Sequence, residues 1–259
     1  AKSVSMIRLL AALFAVIASG VKAVNDNPTA SLMPNIQIHY NLLEACRINQ
    51  VKKIVWVSSS TVYQEAFYPI REEQLDLNYL PYETYLGIGS VYRYIETLCQ
   101  FYMSKFLMDI NIIRTSNIYG PFDRFDLERS HVIPGLIRRA LSREDPFVVW
   151  GNKNTIRDFV YVDDLVLGIL KLVQQNKKFP ILNISSGAGI SIQDLLKIVL
   201  DLCNHNPKVK FDNNKPIGIP FRVLDNTLAN TILDMPPKTS IEEGLQITIK
   251  WYLSDNSRD

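Results

Sequence analysis

The stretch KIVWVSSSTVYQ, residues 53–64, decides the fold. Residues 54–57 form a short apolar and largely β-branched run between polar residues, which predicts a buried strand. Three serines follow at positions 58–60, and a threonine and a tyrosine lie just beyond them. Open α/β sheets bind ligands outside the carboxyl ends of their strands. The hydroxyls are therefore candidates for a functional site, although a serine-rich turn with no chemical role also accounts for the triplet alone.

Strand and helix patterns alternate on both sides of this stretch. Apolar residues at helical spacing predict helices over 35–49 and 89–106. The later segments predict strands at 110–114, 147–150 and 179–183, and helices at 131–141, 165–175, 192–202 and 241–252. Ser191 is placed to cap one helix, because a serine oxygen can accept from its first free amides. The alternation predicts an α/β fold, a Rossmann-like doubly wound parallel sheet with a smaller α/β lobe in the later half.

The composition is that of an ordinary globular protein, with 47% apolar and 21% charged residues in 259. A net charge of +2 gives no electrostatic reason to expect nucleic acid or a membrane surface as a partner. The three cysteines are few and widely spaced, which argues against a disulfide framework and indicates a cytoplasmic setting. The three histidines are too scattered to suggest a metal site.

Few residues carry chemistry by themselves. No G-x-G-x-x-G follows an initial strand, and we interpret Gly187 and Gly189 as a plain turn. His131 is suited to proton exchange near neutral pH, but a lone histidine is also commonly structural. We interpret His39 and His205 as surface residues.

Basic residues recur at turn positions, and arginine forks match phosphate oxygens. The set can clamp a diphosphate or can be a group of solvated surface side chains: Arg138, Arg139, Arg157 and Arg222. Trp150 ends a predicted strand, where it can stack on a base or cover the edge of the core.

Several distinctive stretches stand in the order of one known family. They are LLAA, NDNP, VSSSTVYQ, SNIYGP, SHVIPGLIRR, VVWGNKNTIRDFVYVDD, NISSGAGISI, KPIGIPFRVLD and GLQITIKWY. The chain thus resembles the extended short-chain dehydrogenases/reductases of the NAD-dependent epimerase/dehydratase family, and among them the GDP-L-fucose synthases. The resemblance implies a partial dinucleotide-binding Rossmann domain over 1–130 and a nucleotide-sugar lobe mainly over 131–259, interleaved with the sheet. It also implies NADP or NAD as cofactor, a nucleoside diphosphate sugar as substrate with a GDP-hexose favoured, and a homodimer.

The resemblance also assigns roles to residues. The implied catalytic residues are Ser59, His131 and Thr61, the last standing where the fucose synthases keep a cysteine. The implied cofactor-binding residues are Leu10, Ala11, Ala12, Val57, Ser58, Thr115, Ser116 and Asn117. Those implied to hold the substrate are Asn117, Arg139, Trp150, Arg157 and Arg222.

Residues 6–23, MIRLLAALFAVIASGVKA, allow two interpretations. A basic residue, an apolar run and small residues near Val21 and Ala23 are typical of a secretory signal peptide. The uninterrupted run is too short to span a bilayer comfortably. We expect a buried strand followed by a turn and a helix instead, because the resemblance makes Met6–Ala12 the fourth strand of the dinucleotide domain. The first three strands and the glycine-rich loop are then expected to be absent.

The chain departs from the family at its central tyrosine and lysine. With the register anchored on Glu96 and Cys99, Ile88 stands at the tyrosine position and Tyr92 at the lysine position. Tyr85 lies about one helical turn earlier and is the candidate substitute, but no lysine follows it, and a tyrosine without a cationic neighbour is a poor base. Two hypotheses follow. The chain is an NAD(P)-dependent nucleotide-sugar epimerase/reductase, or it is a non-catalytic or truncated member that binds a nucleotide sugar or a partner subunit.

Overall fold

A computed structural model describes residues 10–13, 27, 29, 32–127, 130–175, 181–214, 218–234 and 239–255. Its helices are α1 (Leu32–Ile48), α2 (Leu86–Phe106), α3 (Val132–Leu141), α4 (Val162–Gln174), α5 (Ile192–Leu202), α6 (Thr227–Leu233) and α7 (Ile241–Asp255). The strands are β1 (Leu10–Leu13), β2 (Lys53–Ser59), β3 (Ile110–Thr115), β4 (Asn117–Tyr119), β5 (Phe147–Trp150), β6 (Ile156–Tyr161), β7 (Leu182–Ile184), β8 (Gly189–Ser191), β9 (Val209–Asp212) and β10 (Phe221–Arg222). The molecule is thus an α/β protein, as the sequence predicts.

The main sheet has the order β1-β2-β3-β7, and its strands are parallel. β2 lies between β1 and β3 and its apolar residues are completely buried, which is why it reads as a continuous apolar run. Alternate side chains point to opposite faces of the sheet. One face, with Ile54 and Trp56, packs against α1 and α2. The other face, with Val55 and Val57, packs against α4 and α6, so helices cover both faces.

A second set of strands carries the later half of the chain. β6 pairs in parallel with β4 and β10 and antiparallel with β8. β5 and β9 form a separate parallel pair. Because β4 follows β3 after a single residue, the end of the main sheet leads directly into this second set. The carboxyl ends of β2 and β3 therefore lie beside the lobe that carries β6 and β10.

In the structure, several helices and strands begin at other residues than predicted, and one residue predicted at the surface is buried. Ser191 caps α5 as expected, since its side chain accepts from the Asp194 amide. α2 begins at Leu86, three residues earlier than predicted, directly after a short 3-10 turn. β7 begins at Leu182, while positions 179 and 180 of the predicted strand lie outside the described residues. The interpretation of His39 as a surface residue is wrong, because the side chain is buried against Trp56, and His205 is partly buried.

The first strand lies in part outside the described residues. β1 pairs with β2 through Leu10 opposite Lys53, Ala11 opposite Ile54 and Ala12 opposite Val55. This confirms a strand over the last three residues of the predicted strand 6–12, and residues 6–9 and 14–26 lie outside the described residues. Among the described helices, none is both long enough and apolar enough to cross a membrane.

Candidate functional site

The serine turn lies at the carboxyl end of β2, where the chain leaves the sheet and forms a 3-10 turn over Ser60–Val62. The Ser59 hydroxyl accepts from the Thr61 amide at 3.2 Å, and the Thr61 hydroxyl donates to it at 3.0 Å. The structure therefore brings these two candidate catalytic residues into direct contact. Each hydroxyl is partly exposed, so both can reach a ligand at this edge of the sheet.

Ser58 points the other way and is buried in a polar network. Its hydroxyl donates to Glu96 of α2 at 2.6 Å, and Glu96 accepts two bonds from Arg114 of β3, at 3.0 and 2.7 Å. Arg114 also donates to the Tyr63 hydroxyl at 2.9 Å, which in turn donates to Asn183 of β7 at 2.7 Å. The network joins three strands and α2 directly beneath the serine turn.

This network shifts the pKa values of its members in the directions that burial and pairing require. Burial raises the pKa of Tyr63 to about 12, against the opposing effect of the Arg114 charge, so the phenol is neutral at physiological pH. Burial disfavours the charged form of Arg114, but the hydrogen bonds and charge of Glu96 outweigh it and raise its pKa. This network was not predicted from the sequence. The pairing register of β2, β3 and β7 would have indicated it, because Ser58, Arg114 and Asn183 stand opposite one another in these neighbouring strands.

The positions of the family's tyrosine and lysine are filled by packing residues. Ile88 packs against an apolar cluster built around Val62, Tyr63 and Ile70, and Tyr92 is a buried member of it. Burial raises the pKa of the Tyr92 phenol. Gly89 lies so close to the loop after β2 that a Cβ there would be 2.5 Å from the Thr61 carbonyl oxygen. A lysine side chain therefore has no room at position 89.

Tyr85 meets two of the candidate substrate arginines. A Cβ on Gly218 would lie 2.9 Å from the Tyr85 hydroxyl and 3.0 Å from Nη2 of Arg157. The Tyr85 hydroxyl and the Arg157 guanidinium therefore lie beside the same point, and the pairing of β10 with β6 places Arg222 opposite Arg157. Burial, with a smaller contribution from the neighbouring Arg157 charge, lowers the pKa of Arg222 to about 10. The expectation that Tyr85 lacks a cationic neighbour is thus wrong.

These two arginines carry positive charge that no ion pair within the described residues neutralises. Arg222 donates to the backbone carbonyls of Gln64 and Tyr63 at 3.1 and 3.2 Å, and Arg157 donates to that of Ile156 at 2.9 Å. Neither forms an ion pair with any carboxylate in the described ranges, although Glu65 attracts Arg222 from farther away. A pair of cations of this kind is suited to bind an anion.

The remaining cofactor-side positions fall into two groups: those of β2 and β3 lie near the carboxyl ends of these strands, whereas Leu10, Ala11 and Ala12 of β1 pair with Lys53, Ile54 and Val55 at the amino end of β2. Val57, Thr115 and Ser116 are buried, and the exposed Asn117 donates from its side chain to the Asp158 carbonyl at 2.9 Å. Asn117 therefore fixes β4 against β6 through one amide hydrogen while its oxygen remains an available acceptor.

His131 begins α3 and is half exposed. Its Nδ1 lies 3.6 Å from a carboxylate oxygen of Asp123. The loop that carries Asp123 is held by aromatic contacts, with Phe122 4.9 Å from Trp251 and Phe125 stacked at 4.3 Å on Tyr252 of α7. The histidine thus has an acidic neighbour on a loop anchored to the last helix.

Two further candidate substrate residues, Arg139 and Trp150, are described by contacts and exposure that differ from those of Arg157 and Arg222. Arg139 forms an ion pair with Glu144, donates to the Val148 carbonyl at 2.7 Å and lies over the Phe147 ring at 4.4 Å. These contacts hold α3 against β5 and give the guanidinium a structural use. Trp150 is half exposed at the carboxyl end of β5.

A groove lies over the segment 64–83 and has a volume of about 1030 Å³. Its charged lining is entirely acidic, from Glu65, Glu73, Asp76 and Glu83. A nucleoside diphosphate is itself negatively charged, so the arginine pair suits such a ligand and this groove does not.

The family implies a nicotinamide cofactor, and the described residues fit it only in part. The hydroxyls and amide at the ends of β2 and β3 are suitable donors and acceptors. The cation that the family's lysine supplies to the cofactor ribose has no equivalent at positions 88, 89 or 92. We therefore derive no step of hydride transfer.

Comparison with known proteins shows a family match and relatives of similar sequence. The NAD dependent epimerase/dehydratase family matches residues 6–185. GDP-L-fucose synthase 1 of Arabidopsis thaliana is 32% identical over 242 residues, covering 91% of this chain and 74% of that protein. GDP-L-fucose synthase of Escherichia coli is 30% identical over 254 residues, covering 92% of this chain and 78% of that protein.

A solved structure shows the same fold. UDP-glucuronic acid 4-epimerase of Bacillus cereus, in complex with UDP-glucuronic acid and NAD, superposes with a TM-score of 0.80 at 25% identity, covering 98% of this chain and 77% of that one. The sheet order, the helices on both faces and the ordered sequence match lead to one assignment. This chain belongs to the NAD-dependent epimerase/dehydratase family.

Proposed function

We propose that this chain is an epimerase/reductase of the GDP-L-fucose synthase type that acts on a nucleoside diphosphate hexose. The observation that carries the proposal is the pair of a buried Arg222 and a partly buried Arg157, neither of which has a carboxylate at ion-pair distance in the described part of the chain. Two such cations repel each other and cost stability, and a bound diphosphate would offset this cost. Asn117 and Trp150 are the further proposed substrate contacts, with Arg139 supporting them through α3.

The preference for a GDP-hexose rests on the two relatives described above, both of which are GDP-L-fucose synthases. NADP or NAD is the proposed cofactor, in line with the family's description and with the NAD held by the Bacillus cereus structure. The cofactor is expected beside Leu10, Ala11 and Ala12 of β1 and the ends of β2 and β3. When bound, a nicotinamide cofactor supplies or accepts hydride at the sugar carbon.

The proposed proton chemistry belongs to the serine turn and to α3. Epimerisation requires removal of a proton from a carbon beside a keto group and its return on the other side. His131 is the side chain suited to this exchange, and Asp123 nearby can orient its ring. Threonine is a much weaker acid or base than the cysteine of the fucose synthases, so Thr61 is not proposed to transfer a proton. Ser59 and Thr61 are proposed instead to hydrogen-bond the sugar oxygens.

A specific observation favours a second function, a non-catalytic member that binds a nucleotide sugar or a partner subunit. Ile88 and Tyr92 pack in the core, and the close approach of Gly89 to the Thr61 carbonyl leaves no room for a lysine. In this alternative the arginine pair keeps its ligand while the proton and hydride steps are lost.

Thermal unfolding with ligands tests the binding proposal. GDP-mannose or GDP-fucose is expected to raise the melting temperature by several degrees at saturating concentration, while NADPH alone raises it little. Arg157→Met should remove the response to the GDP-sugar. Strong stabilisation by NADPH with no effect of either GDP-sugar contradicts the proposal.

Exchange of sugar C–H protons into deuterated water separates an epimerase from a binding protein. The wild type is expected to exchange the protons beside the keto group of a GDP-4-keto-hexose, and His131→Ala should lose most of this exchange. Equal exchange in both proteins removes His131 from the mechanism. No exchange in a wild type that binds the sugar selects the non-catalytic alternative.

The proposed setting is cytoplasmic, in keeping with three free cysteines, all buried. We also propose the division at residue 130 into a dinucleotide part and a sugar-nucleotide lobe, and a homodimer as the working assembly.

A further inference from the structure

Tyr85, Arg157 and Arg222 come from distant parts of the chain and meet beside Gly218. Tyr85 ends the 3-10 turn before α2, Arg157 lies in β6 and Arg222 in β10. The point where a Gly218 side chain would begin is 2.9 Å from the Tyr85 hydroxyl and 3.0 Å from Nη2 of Arg157. The pairing of β10 with β6 places Arg222 directly opposite Arg157.

We infer that Tyr85 is a ligand-binding residue, the third hydrogen-bond donor of an anion subsite that also contains Arg157 and Arg222 and takes a diphosphate. The inference rests on the proposed function for the identity of the natural ligand, and it moves Tyr85 from the role of substitute base to that of substrate contact. Gly218 keeps the subsite open, because it leaves the space between the phenol and the guanidinium unfilled.

The hydrogen-bond inventory supports a donor role. A guanidinium has only donors, so toward the neighbouring Arg157 the phenol oxygen can only accept. The phenol hydrogen can then donate to a ligand. Arg222 uses two of its five N–H groups on the carbonyls of Tyr63 and Gln64, which fixes its position and leaves the others. The donors that these side chains do not use within the described ranges complement the acceptor oxygens of a phosphate group.

The electrostatics also support an anion. The strands hold the two arginines opposite each other, and within the described ranges no acid forms an ion pair with either one. Tyr85 contributes no formal charge as a phenol, so it adds a donor without neutralising the pair. A subsite with these properties attracts a dianion more strongly than a neutral sugar hydroxyl.

Binding of inorganic pyrophosphate, measured by isothermal titration calorimetry, tests the inference without a sugar, a nucleotide or turnover. Tyr85→Phe removes only the hydroxyl and is expected to weaken binding about tenfold. Arg157→Met should weaken it by about a hundredfold or more. Gly218→Ala pushes against the movable ends of Tyr85 and Arg157, so it should weaken binding at least tenfold with little change in stability. Tyr79→Phe, at an exposed tyrosine in the same segment, is the matched control and should bind as the wild type does.

Two results overturn the inference, namely equal affinity of Tyr85→Phe and wild type, or no binding of pyrophosphate by the wild type. If Tyr85→Phe fails to fold, Gly218→Ala decides, and unchanged affinity in that variant also overturns it. GDP-mannose in parallel titrations separates the inference from the proposed function. Tyr85-dependent binding of pyrophosphate without binding of GDP-mannose upholds the subsite and contradicts the function. Equal binding of GDP-mannose by wild type and Tyr85→Phe upholds the proposed function and contradicts the role of Tyr85 in the subsite.

Discussion

His39 illustrates how one buried side chain makes stability depend on pH. It lies on α1 with its ring 4.8 Å from that of Trp56 and 6.1 Å from that of Tyr92. Neither ring nitrogen has a hydrogen-bond partner among the described residues. Burial lowers the pKa of His39 to about 4, because the charged form loses its hydration. The imidazole is therefore neutral in the folded protein at physiological pH.

The free energy of unfolding should fall as the pH is lowered below about 6.5. Between the unfolded pKa of 6.5 and the folded value of about 4, the unfolded state binds the proton and the folded state does not. Each pH unit in this window costs roughly 1.4 kcal/mol from this group. Urea unfolding at pH 7.5, 6.5 and 5.5 measures the effect, and His39→Leu should show a shallower decline than the wild type.

His131→Gln is the control for this experiment, because His131 is half exposed. It should keep the wild-type decline. Parallel declines in the wild type and His39→Leu would show that His39 does not contribute.

At the scale of elements, the start of α2 decides what the site can contain. Two glycines lie in its first turn, and they differ in what surrounds them. Gly89 is buried, and a Cβ there would lie 2.5 Å from the Thr61 carbonyl oxygen and 2.8 Å from Cβ of Pro81. Gly87 is exposed, and its Cβ would lie 3.1 Å from the movable end of Leu32. A side chain at position 89 is blocked by backbone and by the rigid proline ring, whereas a side chain at position 87 is not blocked.

Gly89→Ala should destabilise the protein by about 1–3 kcal/mol, because the helix or the loop after β2 must move. Gly87→Ala removes a glycine from the same turn and should be neutral or stabilising by up to about 1 kcal/mol. Urea unfolding of both variants measures the difference. A loss of stability in Gly87→Ala that equals the loss in Gly89→Ala would indicate that the close contact with Thr61 is not the cause.

The elements could be predicted wherever local pattern decides them. β5 and α5 have the predicted bounds, because a short apolar run and a serine cap are local signals. Long-range contacts could not be predicted in the same way. The burial of His39 depends on which neighbours α1 meets, and the meeting of Tyr85 with Arg157 depends on how the later lobe packs against α2. The family resemblance named both arginines, and only the structure shows that Tyr85 joins them.

At the scale of the whole molecule, α1 and α2 present an apolar surface with no partner within the described chain. Their inner sides share one core cluster against the main sheet. Their outer sides expose Met33, Tyr40 and Ile48 on α1 and Leu86, Tyr94 and Phe101 on α2. On each helix these residues recur at a spacing that keeps them on one side. Exposed apolar patches of this extent are typical of protein–protein interfaces, and a second copy offers the same patch to itself.

We therefore expect the chain to elute as a dimer of twice 29.6 kDa in size-exclusion chromatography with light scattering. Tyr94→Glu places a charge at the middle of the patch and should shift the protein to monomer, because a desolvated, unpaired carboxylate is strongly unfavourable in an interface. Leu170→Glu, at a half-exposed leucine of α4 on the opposite face of the main sheet, is the matched control and should remain dimeric. A monomeric wild type at micromolar concentration, or a Tyr94→Glu protein that stays dimeric, would show that the patch is not a dimer interface. Since α2 begins directly after Tyr85, a dimer through this helix would also hold one wall of the arginine subsite in place.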